Sequence, residues 1–544
     1  MRSDATTRGR LGGWGLAWLA TLTALAVGPG LGSSSRLTYH EAFVAQGARE
    51  ILDSGSWWEP RIGGLPWLEK PPLPFWLVAA AGACRGEVDA TVARLPSAVA
   101  AFGLVLGVAL LASRRYGRTV GLLAGSIQAT TAWTVLRARL AEADLLLAAL
   151  VTWSLLAFDG MRDGDGSGEE IEGGGNLSRL RDWRLAFFGF LAMTALVKGP
   201  GFGAALVLSA AAGVLAWDRD RRAAGRLRSR PGWIVAAAVA AAWPLAMVAR
   251  HGPGVAWLWI LHVAGRFGGG GAHGPFAGES WRDYALNVLA QALPWTPLAA
   301  IGAWRSLGRA LRGDRGDRLL WCWAALPLGL VSVASARNAH YAIHAMVPWS
   351  VWSACGLLRV AGRLADRGWP RPRLVRAAAL GLPGLAVSWG LGFWLLGPWL
   401  DRRGAEWAFY ESAGRAVGAS EPVAFLYDDW DRDPYPTPFG PIPHDLAVRL
   451  FYLRRPATWH FDPAGLAEVV DRPASPGAGE QPSAVLIARD RDLPALRALG
   501  RVEVLERDAG VRWDRTYLLA RLRPIAEPPA IPALGAAGAD SVRR

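Results

Sequence analysis

The chain carries 59 basic residues, and only two of them are lysine: Lys70 in Leu-Glu-Lys-Pro-Pro (68–72) and Lys198 in Val-Lys-Gly-Pro (197–200). Where arginine has taken every generic basic position, a retained lysine marks a place that needs a compact, strongly hydrated ammonium rather than a planar fork. Both lysines stand beside prolines at the mouths of apolar segments, where a snorkelling anchor is the plain alternative. Other ionisable residues fall in the same loops. His40, Glu41 and Glu69 accompany Lys70, and Arg137, Arg139, Glu142 and Asp144 precede a later apolar run. His262, Arg266, His273 and Tyr284 follow, then Arg337, His340 and Tyr341. Lysine and arginine suit a phosphate; a carboxylate or imidazole suits proton transfer. Gathered from separate loops at one membrane face, such groups make one interfacial site; the alternative is a row of ordinary interface residues.

The elements that must position them are apolar. Of the 544 residues 52% are hydrophobic, with 29 Trp, and many runs are long enough to cross about 30 Å of hydrocarbon. Spans are expected near 13–31, 95–113, 119–136, 145–159, 185–197, 200–217, 232–249, 284–303, 319–335, 341–358 and 377–400. With a cytoplasmic N-terminus, the short loops then inside hold 27 arginines, and the short loops outside hold 7 basic residues. That bias is what the positive-inside rule requires. The apolar stretch 74–84 is too short to cross and is expected along the outer interface. Reading the first span as a cleaved secretion signal leaves the side of the next loop unchanged.

The expected class is a polytopic α-helical membrane protein of about eleven spans with a small C-terminal extracytoplasmic α/β domain. Residues 1–400 form the membrane domain, with a first outer loop at 32–94 and an acidic cytoplasmic linker at 160–178. Residues 401–522 form the outer domain, with strands at 423–427, 484–487 and 517–522 and helices at 444–453 and 493–499. Residues 523–544 read as a disordered tail. The net charge of +14 belongs to orienting loops that meet anionic lipid, so nucleic acid is not an expected partner. Cys84, Cys322 and Cys355 are scattered and suggest neither disulfides nor a metal site.

Several stretches carry a family resemblance. They are Glu-Ala-Phe-Val-Ala-Gln-Gly-Ala-Arg-Glu-Ile-Leu-Asp-Ser-Gly-Ser-Trp (41–57), Pro60 to Pro72 with its Glu69-Lys70-Pro71-Pro72, and Ala93-Arg94-Leu95-Pro96-Ser97. Asp144-Leu-Leu-Leu, Leu196-Val-Lys-Gly-Pro200, Arg266-Phe267, Leu293-Pro294-Trp295, and Ser335 with Arg337, Tyr341 and Pro348 follow in order. The set resembles the lipid-A aminoarabinose transferases and protein O-mannosyltransferases, GT-C-fold glycosyltransferases that depend on polyprenyl phosphate. The resemblance covers about 32–360.

The resemblance implies sugar transfer from a polyprenyl-phosphate donor to a lipid, glycan or protein acceptor, outside the inner (plasma) membrane. Lys70, with Arg266 second, is expected to stabilise the leaving phosphate; Lys198 and Arg337 complete the phosphate-binding set, and Glu69 and Tyr341 support it. Asp144, Glu41 and His40 are the candidate acid–base residues. The family usually opens this loop with Asp-Glu, and here His40 stands at the Asp position and Glu41 at the Glu position, so either is a candidate base. The family's lysine near Tyr341 is replaced by Arg337 or Asn338. No cofactor is required; the clustered histidines are able to bind a divalent metal such as Zn²⁺, but their spacing fits no standard metal motif. A lipid-linked-sugar transporter or flippase, which would carry polar residues deep in its spans, and a non-catalytic scaffold are the alternative classes.

Overall fold

The computed structural model describes residues 11–163, 175–268, 278–401, 404–418, 421, 423–427, 437–462, 464–466, 483–508 and 516–523. The chain divides into two compact units, residues 1–404 with 436–451, and residues 405–435 with 452–544.

The first unit is helical. Its helices are α1 (Gly12–Val27), α2 (Tyr39–Ser54), α3 (Leu73–Arg85), α4 (Ala90–Tyr116), α5 (Arg118–Thr130), α6 (Ala132–Ala138), α7 (Ala143–Arg162), α8 (Gly175–Lys198) and α9 (Phe202–Asp218). They continue through α10 (Arg221–Leu227), α11 (Arg230–His251), α12 (Gly254–Gly268), α13 (Trp281–Gln291), α14 (Thr296–Leu311), α15 (Arg315–Ser332), α16 (Val347–Asp366) and α17 (Arg371–Leu400). By length and composition, α4, α7, α11 and α17 are each able to cross a membrane, and α1, α3, α9 and residues 254–265 are shorter apolar helices.

Several expected spans differ in detail, for local reasons. The stretch 119–136 divides at Thr131 into α5 and α6, and 284–303 divides around Pro294, which cannot donate to a helical ladder. The stretch 341–358 begins with a 3₁₀ turn, Ala339–Ala345, before α16. The loop expected at 250–283 contains the apolar helix α12. Of the acidic linker, residues 164–174 lie outside the described residues, as does the tail after Arg523.

Close helix contact uses glycine where backbone meets backbone. A Cβ on Gly302 of α14 would stand 1.9 Å from the Trp352 carbonyl oxygen, and one on Gly356 of α16 would stand 2.2 Å from that of Leu298. This is the small-residue packing that membrane helices use in place of a hydrophobic drive.

Charge is concentrated at the ends of the apolar helices. Asp144 and Asp159 lie fifteen residues apart on α7, roughly 22 Å along the axis. At the Asp159 end, Arg115 donates to Asp159 at 2.7 Å, Arg162 pairs with Asp159 and Asp218, and Arg318 meets Asp218 at 2.8 Å. That buried network ties α4, α7, α9 and α15 together. The Asp144 end carries the candidate site.

The sequence-derived sidedness predicts a simple labelling result. In a background lacking Cys84, Cys322 and Cys355, a cysteine at exposed Ser54 should react with a membrane-impermeant maleimide on intact cells, and one at Ser167 only after permeabilisation. Labelling of Ser167→Cys from outside would reverse the topology.

In the second unit a five-stranded sheet has the order β4-β3-β5-β7-β6. Here β3 is Val423–Leu426, β4 Ala457–His460, β5 Ala484–Arg489, β6 Arg501–Arg507 and β7 Tyr517–Arg523; β1 (Arg61–Ile62) and β2 (Leu65–Pro66) form a hairpin in the first unit. Strand β3 is parallel to β4 and β5, whereas β7 is antiparallel to β5 and β6. The central strands are buried throughout, which accounts for their unbroken apolar sequence. Residues 437–451, expected within the outer domain, group instead with the helical unit.

Candidate active site

The loop between α1 and α4 is fixed by two carboxylates. Thr38 caps α2 in a capping box, accepting from the Glu41 amide at 3.3 Å while the Thr38 amide donates to Glu41 Oε2 at 2.9 Å. Arg94 of α4, fully buried, donates to Glu41 Oε1 at 2.7 Å and to the carbonyls of Leu31 and Ser35 at 2.8 and 3.1 Å. The Ala141 amide adds a bond to Glu41 Oε1 at 3.1 Å. Glu50 clamps the β1–β2 turn, accepting from the Gly63 and Gly64 amides at 2.8 and 2.9 Å. Tryptophans complete the frame: Trp243 Nε1 donates to Trp58 O at 2.9 Å, Trp259 Nε1 donates to Leu68 O at 2.7 Å, and Phe43 stacks on Trp67 at 4.3 Å. Lys70 therefore follows a backbone pinned two residues upstream.

The expected residues fall into groups. Asp144, in the first turn of α7, forms a buried ion pair with Lys198 at the end of α8. Lys198 Nζ also lies 4.8 Å from the centre of the Tyr341 ring and 5.5 Å from that of Phe202, good cation–π distances. His344 Nε2 is 3.9 Å from Asp144, and the His340 and Tyr341 rings meet at a tilt with centroids 4.1 Å apart. His40 joins the same field: Lys70, Glu69, Asp144 and His444 all act on it. The ring is accessible at its edge, yet the protein packed around it lowers its proton affinity below the ordinary 6.5. The Lys70 charge and His444 deepen that shift, while Glu69 and Asp144 oppose it.

The two lysines differ in one respect. Lys198 is neutralised by Asp144, whereas Lys70 forms no hydrogen bond or ion pair among the described residues. Glu69 Oε1 lies 3.9 Å from His262 Nδ1, and Glu69 Oε2 is buried without a hydrogen-bond partner. A pinned, half-buried ammonium beside a carboxylate with one unsatisfied oxygen suits a ligand that carries an anion and a donor group.

Two expectations change. Glu41 is fully buried and its oxygens are occupied by Arg94 and two backbone amides, so the geometry makes it an anchor of the loop rather than an available base. Arg337 lies 4.2 Å from the Trp281 ring centre and donates to Glu279 O at 3.4 Å, grouping with Tyr284 rather than with Asp144. The Arg266 side chain and His273 lie outside the described residues. Sequence reasoning missed His344 and Arg94 as site-building residues. His344 is buried with neither ring nitrogen bonded among the described residues; its four-residue spacing from His340 was its one signal. A cavity of about 470 Å³, lined by Trp133, Arg137, Arg139, Glu279, His340 and Phe393 among others, adjoins the cluster through His340.

Residues 69–162 match the family model of dolichyl-phosphate-mannose-protein mannosyltransferases, a window that begins at Glu69 and takes in Lys70 and Asp144. Over 381 residues the chain is 26% identical to undecaprenyl phosphate-alpha-4-amino-4-deoxy-L-arabinose arabinosyl transferase 2 of Pseudomonas fluorescens, covering 68% of this chain and 63% of that protein. A Pseudomonas aeruginosa arabinosyl transferase of the same description is 28% identical, over 60% of this chain and 57% of its own length. The chain thus spans about three fifths of the curated relatives it matches. In fold it is similar to ArnT from Cupriavidus metallidurans bound to undecaprenyl phosphate, with a TM-score of 0.69 and 16% identity over 93% of this chain and 98% of that one. An Archaeoglobus fulgidus oligosaccharyltransferase gives a TM-score of 0.53 at 14% identity, over 82% of this chain and 64% of that one. The chain is thus similar to polyprenyl-phosphate glycosyltransferases: residues 69–162, with Lys70 and Asp144, match the mannosyltransferase family model, and the fold is that of ArnT.

Proposed function

We propose that the chain is a multi-pass glycosyltransferase of the inner membrane, moving a sugar from a polyprenyl-phosphate donor to a lipid, glycan or protein acceptor on the extracytoplasmic side. The observation that carries this reading is the unequal pairing of the two lysines. Among the described residues, the Lys70 side chain is unpaired at a cluster whose other lysine is already neutralised. In the reaction the bond between the anomeric carbon and the phosphate oxygen breaks, and the electron pair leaves with the lipid phosphate. Lys70, seconded by Arg266, stabilises that growing charge. Asp144 holds Lys198, and the pair with Tyr341 and the His344 ring fixes the floor of the site. Glu69 Oε2 accepts from a donor group on the sugar. The monophosphate leaving group is matched by these cations, so the scheme needs no metal. The cavity beside His340 is the route for the acceptor.

His40 takes the proton of a hydroxyl acceptor, since Glu41 is occupied. An imidazole with lowered proton affinity is neutral near pH 7 and free to accept. The test is transfer from a labelled polyprenyl-phosphate sugar by the purified full-length protein across about pH 5 to 8. Turnover should fall on the acid side, with its midpoint below the ordinary 6.5 because the neutral ring is the active form. His40→Ala should reduce turnover by about 10²-fold, the lower end of the general-base range, and abolish that acid limb. An unchanged rate and profile in His40→Ala would leave an already ionised acceptor, such as a phosphate, as the substrate class. No transfer from any polyprenyl-phosphate sugar would count against the enzyme reading itself.

A further inference from the structure

The connection from α9 to α11 carries six arginines within twelve residues: Arg219, Arg221, Arg222, Arg226, Arg228 and Arg230. The acids of the same stretch are already engaged. Asp218 is held by Arg162 and Arg318, and Asp220 by Arg315. Arg226 donates to the Met161 carbonyl. The side chains of Arg228 and Arg230, by contrast, are exposed and form no hydrogen bond or ion pair among the described residues. Both line an open cavity of about 580 Å³ whose other walls are Leu227, Trp233 and Ile234.

Its rim is ordered. Ser229 caps α11 by accepting from the Gly232 amide at 3.3 Å, and Trp233 Nε1 donates to Leu227 O at 2.8 Å. The Trp233 ring also meets Phe188 edge-on at 5.2 Å. Below the rim, α11 is apolar and long enough to cross a membrane, with Ile234 and Leu245 67% and 65% exposed. Two unpaired guanidinium groups therefore stand above a bare apolar helix face, with a tryptophan between them and the hydrocarbon. A soluble protein partner would meet the cations but leave the apolar face uncovered. An anionic phospholipid satisfies both: its phosphate lies between planar forks that suit it, and its acyl chains run along Ile234 and the residues beyond. The stretch is also among the most arginine-rich of the loops expected to be cytoplasmic, where anionic lipid is abundant.

We infer that the cavity bounded by Arg228, Arg230 and Trp233 is a binding site for the phosphate headgroup of an anionic phospholipid. It stands independently of the sugar-transfer reading.

The test uses the full-length protein in detergent micelles doped with phosphatidylglycerol or phosphatidylcholine, with bound lipid counted by native mass spectrometry. Phosphatidylglycerol should be retained in preference. Arg228→Ala with Arg230→Ala should weaken that retention by roughly tenfold or more, from about 1 kcal/mol for each arginine. Arg312→Ala, removing an exposed arginine elsewhere, should leave it unchanged. Arg228→Lys with Arg230→Lys keeps both charges at exposed positions and should retain most of the binding. Equal retention of both lipids, or undiminished phosphatidylglycerol in the double alanine variant, would overturn the site. Displacement of the lipid by millimolar inorganic phosphate would overturn it too, since the cavity would then be a free-phosphate site.

Discussion

Lys70→Ala should reduce sugar transfer by on the order of 10³-fold, the upper end of what one preorganised donor at a developing oxyanion supplies. The expectation rests on position rather than on charge count. The backbone before Lys70 is pinned by Trp259 at Leu68 and by Trp243 at Trp58, so the ammonium approaches the site from a fixed point. No residue among those described neutralises it, so its field is available to a ligand phosphate. Lys198 makes the opposite case: its charge is committed to Asp144 and to the Tyr341 face. Lys70→Arg keeps the charge and should still lose most of the activity, because a planar fork cannot take the place of a point charge behind Pro71 and Pro72. Single-turnover release of polyprenyl phosphate separates the chemical step from donor binding. A loss confined to donor KM would mean that Lys70 binds ground state and transition state alike. Normal turnover in both variants would make it only an interfacial anchor.

How much of this was legible follows the range of the interactions involved. Long apolar runs announce membrane-crossing helices by themselves, so α4, α7, α11 and α17 could be read from composition. The β3, β5 and β7 strands were readable for a similar reason, being largely buried runs dominated by apolar residues. Strands β4 (Ala457–His460) and β6 (Arg501–Arg507) were not, because charged or aromatic side chains interrupt them and only pairing to a neighbour defines them. The division of 284–303 was foreshadowed by Pro294 and Pro297, but the apolar count outweighed it. Helix α12 was hidden inside a loop because Gly252 and Pro253 precede it, Gly254 opens it and Arg266 interrupts its end.

At the site, the two lysines were visible because arginine had emptied every other position. The neighbourhood of Asp144 and Lys198 could be suspected from shared loops, though not their direct contact across 54 residues. Thr38 and Glu41 carry a readable capping box. What no local pattern shows is that Arg94, 53 residues away, closes over the same carboxylate. The role of Glu41 therefore turns on a long-range pair, and a short motif that names a catalytic carboxylate by position cannot distinguish a base from a keystone.

Glu41→Gln is accordingly expected to act through stability. The carboxylate and the Arg94 guanidinium are both fully buried, and Arg94 also holds the Leu31 and Ser35 carbonyls that lead into α2. Removing one charge from such a pair leaves the other buried and uncompensated, a loss of about 3–5 kcal/mol. The variant should melt at a markedly lower temperature in detergent and lose donor binding together with turnover, because the loop that carries His40 and Lys70 loosens. Arg94→Met should do the same. Combining Arg94→Met with Glu41→Leu removes both charges, so the double variant should be more stable than the sum of the single losses implies, with a coupling above about 1 kcal/mol. Its recovery should stay partial, since the loop carbonyls lose their donor. A base at Glu41 makes the contrary prediction: Glu41→Gln would then keep the wild-type melting temperature and donor affinity while transfer disappears, because an amide preserves shape but cannot take a proton. Measuring melting, donor binding and turnover on the same preparation decides between them, and the occupied oxygens of Glu41 favour the loss of all three.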